Sequence, residues 1–206
     1  MCPAAIPSKT AKCLRRRPDV RFVASRRKAR PFVSLGTWIP AIHSPMQARV
    51  ASLHLHPRER GLPLLAVESV EVVEQKGIVG NQRYFGRKGR DGTPSNRQIS
   101  LIEREEIARH AAALGLEAVS PGAVRSDIET EGIELVQLVG RQIRIGTAVL
   151  ELAAPRDPCP KMDAVARGLR ERMLGNRQGV LARVARSGVI RVGDTIGVLP
   201  DPEPAT

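Results

Sequence analysis

The sequence predicts a mainly β protein, a closed or partly open β-barrel with one or two covering helices. Three observations carry that prediction. Short stretches of alternating or β-branched apolar residues recur from residue 49 onward. Glycine-bearing turns separate them, as in closed all-β architectures. Only two stretches, 103–114 and 163–174, repeat apolar residues at helical spacing. A chain of 206 residues is long enough for one domain with a substantial core.

The elements follow in order. Residues 1–45 lack sustained periodicity and contain Pro3, Pro7, Pro18, Pro31, Pro40 and Pro45, so they are expected to be disordered or loosely attached. They are Arg-rich and acid-poor like a transit peptide, yet carry neither an amphipathic helix nor a secretory core. Because the strand pattern begins directly after Met46, translation starting at Met46 is the competing account of this leader. The domain then occupies 46–200, followed by a tail at 201–206. Within it, 49–55 alternates in part, and 64–73 holds Val67, Val70, Val72 and Val73 in a strand-like run. Glycines 77, 80, 86, 89 and 92 mark a long irregular loop. Residues 97–102 read as a strand leading into a helix over 103–114, with acids in its first turn and Gly115 at its end. Pro121-Gly122 makes a turn before the strand-like 124–133. Residues 142–152 alternate about a turn at Gly146, and a second helix is predicted over 163–174. The alternating 180–185, Ile190, the Gly193-Asp194 turn and 196–199 complete the series.

The net charge of +12 is unevenly distributed: ten of the 33 Lys and Arg lie in residues 1–45, against Asp19 alone of the 21 acids. The remaining chain is near balance, which argues against a polyanion binder by bulk charge. A nucleic-acid role through the leader remains a third-ranked class, but one Trp, one Tyr and three Phe are few for base stacking. No apolar run approaches the roughly 20 residues that cross a bilayer, so no membrane role is expected. Cys2, Cys13 and Cys159 form neither a disulfide framework nor a zinc-finger pair, and a cytoplasmic location is the natural expectation.

Cys159 is the chief candidate for chemistry. It lies between Pro158 and Pro160, whose fixed φ angles stiffen the backbone, with Arg156 and Lys161 nearby to favour a thiolate. The alternative is a buried structural thiol. Other segments supply cations and turn backbone: 80–86 with Arg83 and glycine-rich amides, 96–100 with Arg97 and Ser100, and 121–132 with Arg125, Asp127 and Thr130. Arginines and Gly-rich amides converging on a thiol suit a phosphate-bearing ligand near a sulfur-bound metal. His54 and His56 share one face of a strand at i, i+2. With no third ligand in sight they read as ordinary surface histidines rather than a metal pair.

Taken in order, these segments resemble a MOSC domain, the family named for the C-terminal part of molybdenum cofactor sulfurases. The matching features are the Arg–aromatic–Gly loop at 80–86, Arg97-Gln98-Ile99-Ser100-Leu101-Ile102, Pro121-Gly122 with the stretch 127–135, and Leu138-Val139-Gly140. They continue through 145–150 and Pro158-Cys159-Pro160-Lys161 to Ile190-Arg191-Val192-Gly193-Asp194, covering about 49–199. The resemblance implies a barrel related to that of pyruvate kinase and a cleft for the pyranopterin molybdenum cofactor. It also implies an essential cysteine at Cys159, as molybdenum ligand or persulfide carrier. Arg83, Arg97, Ser100, Arg125, Asp127, Thr130, Arg156 and Lys161 would then surround the cofactor. Pyridoxal phosphate is not expected, since the chain has no room for the aminotransferase-like domain of larger relatives. Two departures stand out. The loop reads Gly80-Asn81-Gln82-Arg83 where the family commonly has Gly-Asp-Arg, and Asp127 stands where Asn is common. That carboxylate is expected to face solvent or pair with Arg125 if it does not meet the cofactor. One reading is a redox enzyme reducing N-hydroxylated or related small substrates, with electrons from a flavin or iron–sulfur partner. The other is a sulfur carrier loaded by a cysteine desulfurase.

Overall fold

The structure, a computed structural model, describes residues 47–200. The basic leader, the question of Met1 against Met46, and the tail lie outside the described residues. Strands β1 (Arg49–Leu55), β2 (Leu65–Val67), β5 (Ile99–Glu103) and β6 (Ile128–Glu131) form one part of the main sheet. Strands β7 (Gln142–Ile145), β8 (Ala148–Pro155), β9 (Val180–Arg186) and β11 (Ile196–Val198) form the rest. The eight-stranded order is β11-β7-β8-β9-β5-β6-β1-β2. A second sheet places β3 (Ser69–Val73) between β10 (Gly188–Arg191) and β4 (Gly77–Ile78).

The main sheet curls until its first and last segments meet. Val50 N–H donates to Asp194 O at 2.9 Å, Gly193 N–H to Val50 O at 2.9 Å, and Ile196 N–H to Ala48 O at 2.8 Å. These bonds join the start of β1 to the approach to β11 and close a barrel of every main-sheet strand except β2. Closure spares those strands an open edge. The required bend comes with register shifts in β1 at Val50/Ser52 and in β8 at Val149/Leu150 and Leu152/Ala154. The alternation read from the sequence points Ile143, Ile145, Leu150, Leu152, Ala182 and Val184 inward, all fully buried. The small sheet adds Val70, Val72, Ile78 and Ile190 to the same core. Each of the Val, Leu and Ile side chains among them contributes about 1.5–3 kcal/mol by leaving water.

Most strands adjoin antiparallel neighbours, but β5 and β6 run parallel, and the helix α1 (Arg104–Ala113) makes the crossover between them. Its Ile107 and Ala111 pack with Ile102, Val119, Val124, Met162, Leu169 and Met173 into a second core outside the barrel. This smaller core supports the segment after β8. The helix expected over 163–174 is interrupted: a 3₁₀ turn covers Pro160–Ala164, and a short α2 runs Leu169–Arg172. Gly168 between them sits at φ +84°, a left-handed conformation that ends one turn and redirects the chain. Leu169 and Met173 still reach the core, whereas Val165 is exposed. The run expected over 64–73 is likewise divided, because β2 joins the barrel sheet and β3 the small one.

Gly179, just before β9, is pressed against β5. A Cβ there would collide with the Leu101 carbonyl and lie 2.8 Å from Ile102 Cα, with φ already at +74°. Gly179→Ala is therefore expected to cost more than about 3 kcal/mol of stability by overpacking and strain. Gly193→Ala, at φ +85° with nothing within 4 Å, should cost only about 1 kcal/mol. Urea titration of both variants measures the contrast.

Candidate functional site

At the rim of the barrel, segments after β1, β4, β8 and around the starts of β5 and β6 bring together Arg83, Arg97, Arg125 and Arg156. His56 lies among them, since the positive charge of all four bears on its ring. Both His54 and His56 are only 2% exposed, which corrects their reading as surface histidines. The cause is local: β1 ends at Leu55, and His56 turns under the rim onto Tyr84. The two rings meet edge to face with centroids 4.9 Å apart. Burial first, then the charges of Arg125, Arg156, Arg83 and Arg97, pushes the His56 pKa down to about 3. The imidazole is thus neutral at ordinary pH. That fits Nδ1 accepting from Arg125 Nη2 at 3.5 Å, with Nε2 facing Asp127 Oδ1 at 3.6 Å.

Each guanidinium is held differently. Arg97 lies over the Tyr84 ring at 4.7 Å from its centroid, and Arg83 at 5.6 Å. Arg125 Nη1 donates to Leu62 O at 3.0 Å, and Arg156 Nη2 donates to Arg125 O at 3.0 Å. Arg156 is 4% exposed, and its Nη1 has no hydrogen-bond partner. Its pKa is lowered to about 10 by burial and by Arg97, against the opposing pull of Asp127, Cys159 and Tyr84. A buried guanidinium with an unpartnered N–H beside other cations has the donor and charge to hold an anion. Arg125 also holds a left-handed backbone at φ +60°, unusual for a residue with a side chain.

Asp127 neither faces solvent nor pairs with Arg125. It is 3% exposed, because the parallel β5–β6 register lays its side chain against Ser100. Oδ2 accepts from Ser100 N–H at 2.8 Å and Ser100 Oγ at 2.6 Å; Oδ1 accepts from Asn81 Nδ2 at 2.8 Å. Burial raises its pKa, while those Ser100 bonds and the charges of Arg156 and Arg97 oppose the rise. Asn81, one of the departures in the loop, is therefore the partner of the other departure. The loop amides expected to be open are largely used: Tyr84 and Phe85 N–H both donate to Asn81 O, and Gly86 N–H donates to Lys76 O.

The other predicted residues divide. Cys159 is half-buried at the start of the Pro160–Ala164 turn, packed against the second core, yet close enough to Arg156 to influence its charge. Lys161, two residues on, is exposed. Ser100 serves Asp127. Thr130 is fully buried within β6, its hydroxyl donating to Ile102 O at 3.4 Å, and takes no part in the cluster. Sequence reasoning missed His56, Tyr84 and Asn81. It also missed Glu129, fully buried, which accepts from Gly122 N–H at 2.7 Å, Arg104 Nη1 at 2.9 Å and Ser52 Oγ at 3.2 Å. Glu129 thereby pins the Pro121-Gly122 turn to the sheet. The only signal for it was an acid within a strand-like run, on the face opposite the core residue Ile128.

The fold and site together define a β-barrel whose rim carries a partly buried arginine cluster, with Arg156 at its buried end, beside a half-buried thiol. The MOSC domain family matches residues 71–197, and the chain belongs to that family. Its fold is similar to that of the YuaD protein from Bacillus subtilis, with 21% identity over 73% of this chain and 94% of that one and a TM-score of 0.60. YiiM from Escherichia coli (17% identity, 79% and 74% covered, TM-score 0.57) and YiiM from Geobacillus stearothermophilus (19%, 74% and 75%, TM-score 0.55) share it too. No curated protein matches the sequence. No helix among the described residues is long and apolar enough to cross a membrane.

Two predictions follow from this geometry. The native pKa of His56, about 3, is below its ordinary 6.5, so the unfolded chain binds the extra proton first. Stability supplied by neutral His56 is complete above pH 6.5 and falls as pH drops toward 3, by up to about 1.4 kcal/mol per pH unit. Urea midpoints of wild type and His56→Asn should therefore converge as the pH is lowered from 6.5 to 4.5. Separately, Asp127→Asn can keep its hydrogen bonds, because Asn81 can turn its amide and offer the unpartnered Oδ1, but it removes the acid coupled to Arg156 and Arg97 and should cost about 1.5–2 kcal/mol. Asp127→Ala strands Ser100 and Asn81 and should cost about 2–4 kcal/mol in thermal or urea unfolding.

Proposed function

We infer that this MOSC protein holds the molybdenum cofactor at the arginine cluster, with Cys159 as the protein's molybdenum ligand, and reduces N-hydroxylated or related small substrates. The observation that carries this reading is the buried Nη1 of Arg156, an unmatched donor in the cluster that neighbours the thiol. The donor set fits the group. Among the described residues no three His, Cys, Asp or Glu cluster to hold a metal, so a metal here would arrive with ligands of its own. A phosphate would meet Arg156 Nη1 and the partly free guanidinium faces of Arg97 and Arg83. A thiolate at Cys159 supplies the soft donor.

When bound, the cofactor would supply two-electron oxygen-transfer chemistry, in which two electrons and two protons convert an N-hydroxyl group to an amine and water. The chain's own residues bind and orient. Arg156 and Arg97 neutralise the phosphate, Asp127 and Asn81 fix the loop that carries Arg83, and neutral His56 keeps Arg125 in place without adding charge. Pro158 and Pro160 restrict the thiol to one approach. Electrons would come from a flavin or iron–sulfur protein, since no cysteine cluster or dinucleotide fingerprint accompanies the domain. A reducing cytoplasm suits such a thiol.

Sulfur transfer is the second reading, favoured by the same Arg156 charge, which would stabilise a persulfide anion on Cys159. Its half-buried, proline-bound position suits a fixed ligand better than a carrier that must reach two partners. Protein from a cofactor-competent host should contain molybdenum, Cys159→Ala should lose it, and Arg156→Gln should retain less than about a tenth, as expected for losing a buried charge-assisted contact. Metal analysis decides: equal content in wild type and Cys159→Ala overturns ligation by this residue. A persulfide mass on the Cys159 peptide after desulfurase treatment, without bound molybdenum, would establish the carrier instead.

A further inference from the structure

Beside the arginine cluster lies a cavity of about 670 Å³, whose lining includes Arg125 but none of Arg83, Arg97, Arg156 and Cys159. Its walls come from three segments: Pro63 and Leu64 before β2, the Ser120–Ala123 turn, and Ala164 and Val165 on the turn that follows Cys159. The lining is mostly apolar, and among the described residues its only charged side chains are Arg125 and Lys161, with no acid beside them. The two cations differ. Arg125 already donates to Leu62 O and faces His56. Lys161 is exposed and makes no hydrogen bond or ion pair among the described residues, so its ammonium is available to a ligand.

The cavity is built rather than incidental. Gly122 is wedged against His54, where a Cβ would lie 2.9 Å from the ring, and its amide is fixed by Glu129 at 2.7 Å. Arg125, at the end of the same turn, holds its strained φ of +60° and is shared by the cavity and the arginine cluster. Preformed apolar walls with a few placed polar groups are the usual make-up of a small-molecule pocket.

We propose that this cavity is the substrate pocket and selects a small aromatic or similarly compact apolar molecule bearing one carboxylate, with Lys161 as the residue that reads that charge. The apolar body packs on the proline and aliphatic walls, and the carboxylate meets the Lys161 ammonium. Arg125 marks the end of the pocket toward the arginine cluster. The assignment rests on the cofactor reading only for what happens to the bound molecule. Binding itself needs the cavity and Lys161 alone.

The test uses benzoate and benzamide, which share a ring and differ in charge, titrated into the full chain and followed by NMR shifts. Benzoate should bind at least about tenfold more tightly than benzamide, with shifts at Ala123, Ala164 and Val165. Lys161→Gln should erase that preference by weakening benzoate about tenfold while leaving benzamide unchanged, and Ala164→Trp should abolish both by filling the space. Equal affinity for the two probes in wild type, or an undiminished preference in Lys161→Gln, overturns the proposal; so does full binding by Ala164→Trp. Cys159→Ala keeps the pocket, so it should still bind benzoate about tenfold more tightly than benzamide. Loss of molybdenum with retained benzoate binding supports both readings. An absence of molybdenum from wild type leaves the pocket standing and removes only the cofactor.

Discussion

Four guanidinium groups can share one corner of a small barrel only if something offsets their mutual repulsion, and the buried carboxylate of Asp127 is the fixed counter-charge that does so. Its bonds to Ser100 and Asn81 keep it oriented, so it does not swing out to pair with a single arginine. Its influence reaches Arg156 and Arg97. The remaining support is neutral: the Tyr84 ring for Arg97 and Arg83, Leu62 O for Arg125, and Arg125 O for Arg156. The outcome is a cluster with more positive charge than its own acid can cancel. A neutral His56 is part of that balance, because a fifth positive charge there is disfavoured by burial and by every neighbouring arginine. Preorganised positive potential that is partly shielded from solvent gives an anion more than the same charges would in water.

The barrel explains how residues so distant in sequence meet. The parallel β5–β6 pair carries Ser100 and Asp127 to adjacent positions, and α1 must lie outside the barrel to permit that pairing. Its apolar face then creates the second core, and that core receives Met162, Leu169 and the side of Cys159. The thiol is therefore held from behind by packing and from either side along the chain by proline. Without the crossover helix there would be no platform for the turn that carries Cys159 and Lys161. Topology, more than any single contact, places sulfur and guanidinium groups at the same rim.

Much of this was legible in the sequence. The alternation through 142–152 and 180–185 fixes which side chains point inward, and hairpin chemistry at Gly146 sets the β7–β8 register, because both signals are local. Family membership was legible from the order of the motifs. The site was legible only as a list of arginines around a cysteine. His56 and Asn81 escaped because their roles depend on burial, which a short polar stretch does not announce. Asp127 was misread for the same reason: its partners, Ser100 and Asn81, lie 27 and 46 residues away. The break of the second helix at Gly168 was visible as a glycine, but helical spacing of Leu169 and Met173 survives the break and masked it. Thr130 entered the site by neighbourhood in sequence, whereas strand alternation turns it into the sheet.

Arg125 ties the two halves of the rim together. Its backbone carbonyl holds Arg156, its side chain reaches Leu62 and His56, and its flank forms one wall of the apolar cavity. A strained left-handed backbone persists only where surrounding contacts over-determine it, and here the contacts come from both sides. An anion at Arg156 and a ligand in the cavity would accordingly act on one residue from opposite directions. Each would favour the conformation that the other requires, because any movement of Arg125 loses bonds on both sides. Coupling between two pockets then needs no long path through the barrel. It needs one arginine that cannot satisfy one neighbour without staying in place for the other.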